Sequence, residues 1–233
     1  METSFNPRFL SLVVHDLRTP LNVIGLSLHI LDRSVAPDQA EIVEDLRAIR
    51  ENVSQMERML SYLADYCRLV AEPVRLSAEA FDPRTMLEEL VEVQAQRARG
   101  GAPPVRLEIR AGCPPVVELD PRQARLAIQH ALNNAIASSN GQPVQVRVGG
   151  NPDRCLIEID VDRPPRSSLR ATPLRSELVE RLIGTAEDRL GLDLAIVARV
   201  SELFGGSARL DVAEGRGTTI ILEWPARLEP AQP

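Results

Sequence analysis

Residues 13–21 read VVHDLRTPL and place His15 beside Asp16, with Arg18 and Thr19 three and four residues beyond His15. On a helix those spacings put Arg18 and Thr19 on the histidine's face. A neutral imidazole has one nitrogen free to attack an electrophile and one carrying hydrogen. Asp16 suits the second nitrogen, fixing the tautomer or accepting a proton. Arg18 is placed to hold a phosphoryl group, and Thr19 to orient a water or an incoming acyl phosphate. The spacing also admits a plain exposed histidine, which is how His29 in the same helix reads.

The elements around this stretch carry a heptad. Leu10, Val14, Leu17, Leu21, Ile24, Leu28 and Leu31 step alternately by four and three residues, which marks a helix with one apolar seam. SVAPDQ interrupts it, with Pro37 and Asp38 suited to a turn and a new helix start. The seam resumes through Ile42, Leu46, Ile49, Val53, Met56, Leu60, Leu63, Cys67 and Val70. Two such helices predict an antiparallel hairpin. One hairpin offers each seam a single partner, so pairing of two hairpins into a four-helix bundle, and hence a homodimer, is expected. His15 follows Val14 of the seam and so belongs at its edge. Pro20 removes a backbone donor inside the first helix and predicts a bend just after His15.

The period changes beyond residues 72–80, where the domain boundary is expected, giving domains 1–75 and 80–228. Asp82 as N-cap, Pro83 at the first helical position and Gly100 at the end delimit a third helix. VRLEIRAG, VQVRVGG, CLIEIDVD, ARLDVAE and TTIILEW then alternate apolar and polar residues, as half-buried strands do. PRQARLAIQHALNNAIASS and LDLAIVARVSELFGG read as helices between them. The expected fold is α+β: a helical hairpin, then an α/β sandwich with helices on one side of a mixed sheet.

Composition narrows the class. The chain has 233 residues, 44% hydrophobic and 26% charged, which is ordinary for a soluble globular protein. Aromatics are only 3%, so the cores rest on Leu, Val, Ile and Ala. A net charge of −6 argues against nucleic acid as the main partner. No apolar run reaches the length of a bilayer span, so direct membrane insertion is not expected. Cys67, Cys113 and Cys155 lack metal-ligand spacing and fit reduced thiols of a cytoplasmic protein.

FLSLVVHDLRTPLN resembles the phosphoacceptor motif of two-component histidine kinases: a His-acidic pair followed by Thr-Pro, with an apolar approach and a leucine after the proline. HALNNAIASS resembles the asparagine-bearing helix of that family's ATP-binding domain. GLDLAIVARVSELFGGSARLDVAEGRGTTIILEWP resembles its C-terminal helix, strand, glycine turn and final strand. The resemblance spans about residues 5–225. It implies that His15 carries the phosphoryl group, Asp16 assists its nucleophilicity and Thr19 helps remove phosphate from a receiver domain. It also implies a homodimer, a response-regulator receiver as partner, and Asn134 as Mg²⁺ ligand in an ATP site.

The nucleotide positions depart from that pattern. Asp160 or Asp162 stands where the resemblance expects an adenine-reading aspartate, yet alternation with Ile157, Ile159 and Val161 turns both to the other face. Pro164 and Pro165 follow in place of glycines. In RLGLDL only Gly191 remains; Arg189 and Asp193 replace glycines, and an aspartate beside triphosphate adds like charge. His130 replaces the polar residue one turn before Asn134, and SELVERLIGTAEDR lacks the aromatic landmark of a nucleotide lid. Gly215, Gly217 and Thr218 of EGRGTT match the family, though the residues themselves read as the closing turn of a strand hairpin.

Three functions are therefore open. The first is a phosphorelay protein that exchanges a phosphoryl group between His15 and a receiver aspartate, with ATP and Mg²⁺ binding weak or lost. The second is a conventional ATP-dependent histidine kinase. The third is a noncatalytic dimeric adaptor for a receiver or kinase, which the intact His15, Asp16 and Thr19 disfavour.

Overall fold

The computed structural model describes residues 7–34, 40–71, 74–98, 104–139, 141–161, 172–174, 191–213 and 217–228. The chain divides into two compact units, Met1–Pro73 and Val74–Pro233. Among the described residues no helix is long and apolar enough to cross a membrane.

The first unit is a hairpin of α1 (Pro7–Ser34) and α2 (Ala40–Ala71), which pack along their length. The heptad seam divides in two. Val14, Leu21 and Leu28 of α1, with Leu46 and Val53 of α2, are at most 7% exposed, and Leu60 packs against them. The alternate members Leu17, Ile24, Leu31, Ile42, Ile49 and Met56 are 44–48% exposed. One hairpin thus satisfies every second seam position. The helix α1 runs through Pro20, whose missing N–H leaves the Asp16 carbonyl, four residues back, without its helical donor.

The second unit starts with β1 (Glu79–Phe81), which pairs antiparallel with β3 (Val117–Leu119) in a two-stranded sheet. The helix α3 (Pro83–Ala98) lies between them in sequence. Asp82 caps it: its carboxylate accepts the Arg84 backbone N–H at 2.9 Å and also binds the Arg84 side chain. That guanidinium holds the Asp82 carboxyl below its usual range.

A six-stranded sheet follows, in the order β2-β4-β5-β8-β7-β6. Its strands are β2 (Val105–Ile109), β4 (Val144–Asn151), β5 (Arg154–Val161), β6 (Thr172–Leu174), β7 (Ser207–Ala213) and β8 (Gly217–Pro225). The β2–β4 pair is parallel and the remaining pairs are antiparallel. The helices α4 (Pro121–Ser138) and α5 (Gly191–Leu203) pack on each other, α4 on β5 and α5 on β7. The core lies under them, where Val144, Val146 and Val148 of β4 and Cys155, Ile157, Ile159 and Val161 of β5 are buried. The alternation in the sequence is the cause: every second side chain meets the helices.

Two caps fix the helices. Asp120 accepts the Arg122 and Gln123 backbone N–H groups at the start of α4, and the Ser77 N–H as well. At the end of α5, Gly205 takes φ 70, with Gly206 N–H bound to Ser201 C=O and Gly205 N–H to Glu202 C=O. Trp224 of β8 donates to Ser201 Oγ at 2.9 Å and meets Phe204 edge-on.

The three-residue strands β1, β3 and β6 are additions to the sequence reading. They are too short to show a period, and Pro173 disguises β6, which sits at a sheet edge where a missing donor is tolerated.

Candidate functional site

The first site is the exposed face of α1. His15 and Asp16 have side chains 83% and 82% exposed, and His15 Nδ1 lies 3.3 Å from Asp16 Oδ1. A proton on Nδ1 donated to that carboxylate leaves the Nε2 lone pair facing solvent. The exposure follows from the heptad, since Val14 takes the core position and its neighbour falls outside it. Arg18 and Thr19 are exposed on the same stretch. Further along α1, Val23, Leu26 and Ile30 form a second apolar line, 57–63% exposed and distinct from the seam. Heptad reasoning passed over this line because it follows only the dominant stripe; its signal is the i, i+3, i+7 spacing.

The second site is the contact of α4 with the first turn of α5. His130 and Asp193, 63 residues apart, meet there with Nδ1 and Oδ1 2.6 Å apart and side chains 4% and 8% exposed. Burial pushes the Asp193 carboxyl up, while the hydrogen bond and charge of His130 pull the other way. Asn134, one turn along α4, is also buried, and its Nδ2 has no hydrogen-bond partner among the described residues. Gly191 is the first residue of α5. The sequence marked His130 and Asp193 as separate departures; the fold makes them one contact.

The other nucleotide candidates lie elsewhere. Asp160 is on the β5 face turned away from the helices, paired with Arg147 and Thr219. Arg147 also bridges to Glu108, and the neighbouring Arg110 binds Glu158 at 2.7 Å. Asp160 therefore belongs to a charged ladder across the open sheet face, apart from His130, Asn134 and Asp193. Period two is the cause, since the residues beside it, Ile159 and Val161, are buried. Gly217 and Thr218 are ladder residues of β8, opposite Ala213 and Val212 of β7. Thr218 is also opposite Val161 of β5. Both are thus paired residues of the sheet. Asp162, Pro164, Pro165, Arg189, Gly215 and SELVERLIGTAEDR lie outside the described residues.

The comparisons agree with both units. Residues 7–72 match the His Kinase A (phospho-acceptor) domain, and residues 119–228 match the histidine kinase-, DNA gyrase B-, and HSP90-like ATPase family. The chain carries the two-component histidine kinase core: a phosphoacceptor helical hairpin followed by an ATPase-type α/β domain. It is 26% identical over 231 residues to the sensor protein TorS of Escherichia coli K12, covering 96% of this chain and 24% of that protein. The chain thus spans about a quarter of that relative's length. Its fold is similar to full-length ShkA in complex with AMPPNP, with a TM-score of 0.70 and 23% identity, over 95% of this chain and 46% of that one. It is also similar to the histidine kinase ThkA in complex with the response regulator protein TrrA, with a TM-score of 0.58 and 15% identity, over 94% and 61% of the two chains.

Proposed function

We propose that this chain is a homodimeric phosphorelay protein of histidine-kinase build, which carries a phosphoryl group on His15 and exchanges it with a receiver-domain aspartate without using ATP. In the forward step the His15 Nε2 lone pair attacks the phosphorus of the receiver's aspartyl phosphate. The Nε2–P bond forms, the P–O bond to the aspartate breaks, and the carboxylate leaves with the electron pair. The proton stays on Nδ1 and is donated to the Asp16 carboxylate, which offsets the positive charge developing on the ring. Arg18 draws the phosphoryl oxygens toward the same face. Thr19 is the positioning group for a water in the competing removal of phosphate from the receiver. The reverse step returns the group to an aspartate.

The open half of the seam supports the dimer, because six large apolar side chains at regular spacing need a second hairpin to cover them. The line of Val23, Leu26 and Ile30 supports receiver docking close to His15. The expected compartment is the cytoplasm, where receivers act.

The single observation that carries the ATP-independent reading is the buried His130–Asp193 pair one turn from Asn134. A triphosphate is approached closely by backbone where glycine stands, and a carboxylate set directly against its phosphates opposes it. These residues offer an aspartate already hydrogen-bonded to an imidazole, so they do not fit the group. The second reading, a conventional ATP-dependent kinase, is favoured by the match of residues 119–228 to the ATPase family. Calorimetric titration of Mg-ATP into the full chain separates the two. The expected result is no saturable heat up to millimolar nucleotide; micromolar binding would support the kinase instead.

A further inference from the structure

His130 and Asp193 have a consequence that does not depend on what the domain binds. The two helices pack on each other, and both bury apolar side chains: Ala127, Ala131 and Ala135 of α4, and Leu194, Val197 and Ala198 of α5. Apolar packing restricts two helices to a few preferred crossing geometries, without singling out one pair of residues to meet. A buried ionisable pair does single them out, because only one arrangement keeps each group partnered. The 2.6 Å separation is that of a charge-assisted hydrogen bond. Asp193 also lies in the first turn of α5, where a carboxylate is favoured by the exposed backbone N–H groups.

We propose that His130 and Asp193 act together as a latch between α4 and α5, which holds the helical layer of this domain in one packed register with no ligand between the helices. The two departures from the nucleotide pattern are then a compensating pair. Either one alone leaves a buried charge or a buried ring nitrogen without its partner; both together close the contact. The purpose of the latch rests on the ATP-independent reading above, but its existence does not.

A double-mutant cycle on the full chain tests it, using His130→Leu, Asp193→Ala and the two combined, with denaturant unfolding of the second unit followed by amide exchange in α4 and α5. Each single change is expected to lower the folding equilibrium constant about 100-fold or more. The double variant should fall short of the product of the two by at least tenfold. Multiplicative effects would overturn the latch. If a single variant does not fold, Asp193→Asn keeps an acceptor oxygen and the shape. In the parent, nitrogen-15 NMR should show a strongly downfield, slowly exchanging proton on His130 Nδ1, present without nucleotide and shifted upfield by Asp193→Asn. A His130 signal that Asp193→Asn leaves unchanged would overturn the pair itself. Mg-ATP titration of the parent reads out separately: tight binding with a coupled cycle leaves the latch standing and removes the ATP-independent reading.

Discussion

The described residues contain two histidine–aspartate pairs, one in each unit. His15–Asp16 joins neighbours on one helix at 3.3 Å, with both side chains more than four-fifths in water. His130–Asp193 joins two helices at 2.6 Å, with both side chains less than a tenth exposed. The functional groups are identical and their surroundings are opposite. In water an ion pair is worth little to stability, so Asp16 can orient and assist its histidine while the ring stays free to react. In the core the same pair is shielded from any electrophile, and losing one partner strands the other. On the proposed reading, burial rather than residue type separates the reactive histidine from the structural one.

That contrast yields predictions of decreasing size. His15→Gln should abolish phosphoryl uptake, a loss of about three orders of magnitude or more, with no change in unfolding midpoint. Incorporation of label by the folded variant checks it, and His130→Gln should retain uptake in whatever fraction remains folded. Reversed by burial, Asp193→Ala should cost about 3–5 kcal/mol of stability, as in other broken buried pairs, and leave the transfer rate of the folded protein unchanged. Urea unfolding measures the first effect and receiver-dependent labelling the second. Asp16→Asn should slow uptake by roughly 10- to 100-fold without altering stability, since it changes one assisting group on an exposed face; rapid-quench labelling gives the rate. Asn134→Ala is the mildest. Among the described residues the buried Nδ2 has no partner to lose, so its removal should shift stability by less than about 1 kcal/mol. A larger loss would mean that the Asn134 side chain makes a stabilising contact of its own.

Much of this was legible in the sequence because it rests on period. The 4-3 alternation marked both helices of the hairpin and put Val14 in the core with His15 beside it. Alternation of two marked β2, β4, β5, β7 and β8, and turned Asp160 away from the helices, as the ladder with Arg147 and Thr219 shows. Asp82 and Pro83 announced the start of α3 because capping is local chemistry. What escaped was non-local or too short. The capping role of Asp120 at the start of α4 was visible as Asp-Pro but passed over. The strands β1, β3 and β6 are three residues each, below the length at which a period exists. The pairing of His130 with Asp193 spans 63 positions, and no rule of spacing connects them. Each had been legible only as a misfit to a family pattern. The division of the heptad into a buried and an open half also needs three dimensions, since the sequence gives both halves the same residue types.

The central claim is that His15 takes its phosphoryl group from a receiver and not from ATP. It is tested most directly by mixing the full chain with a receiver domain carrying radiolabelled aspartyl phosphate, in buffer without nucleotide, and following the label. The account predicts acid-labile, base-stable label on the parent chain within minutes and none on His15→Gln. Equal label on both chains, or label on the parent only when ATP is the donor, would contradict it.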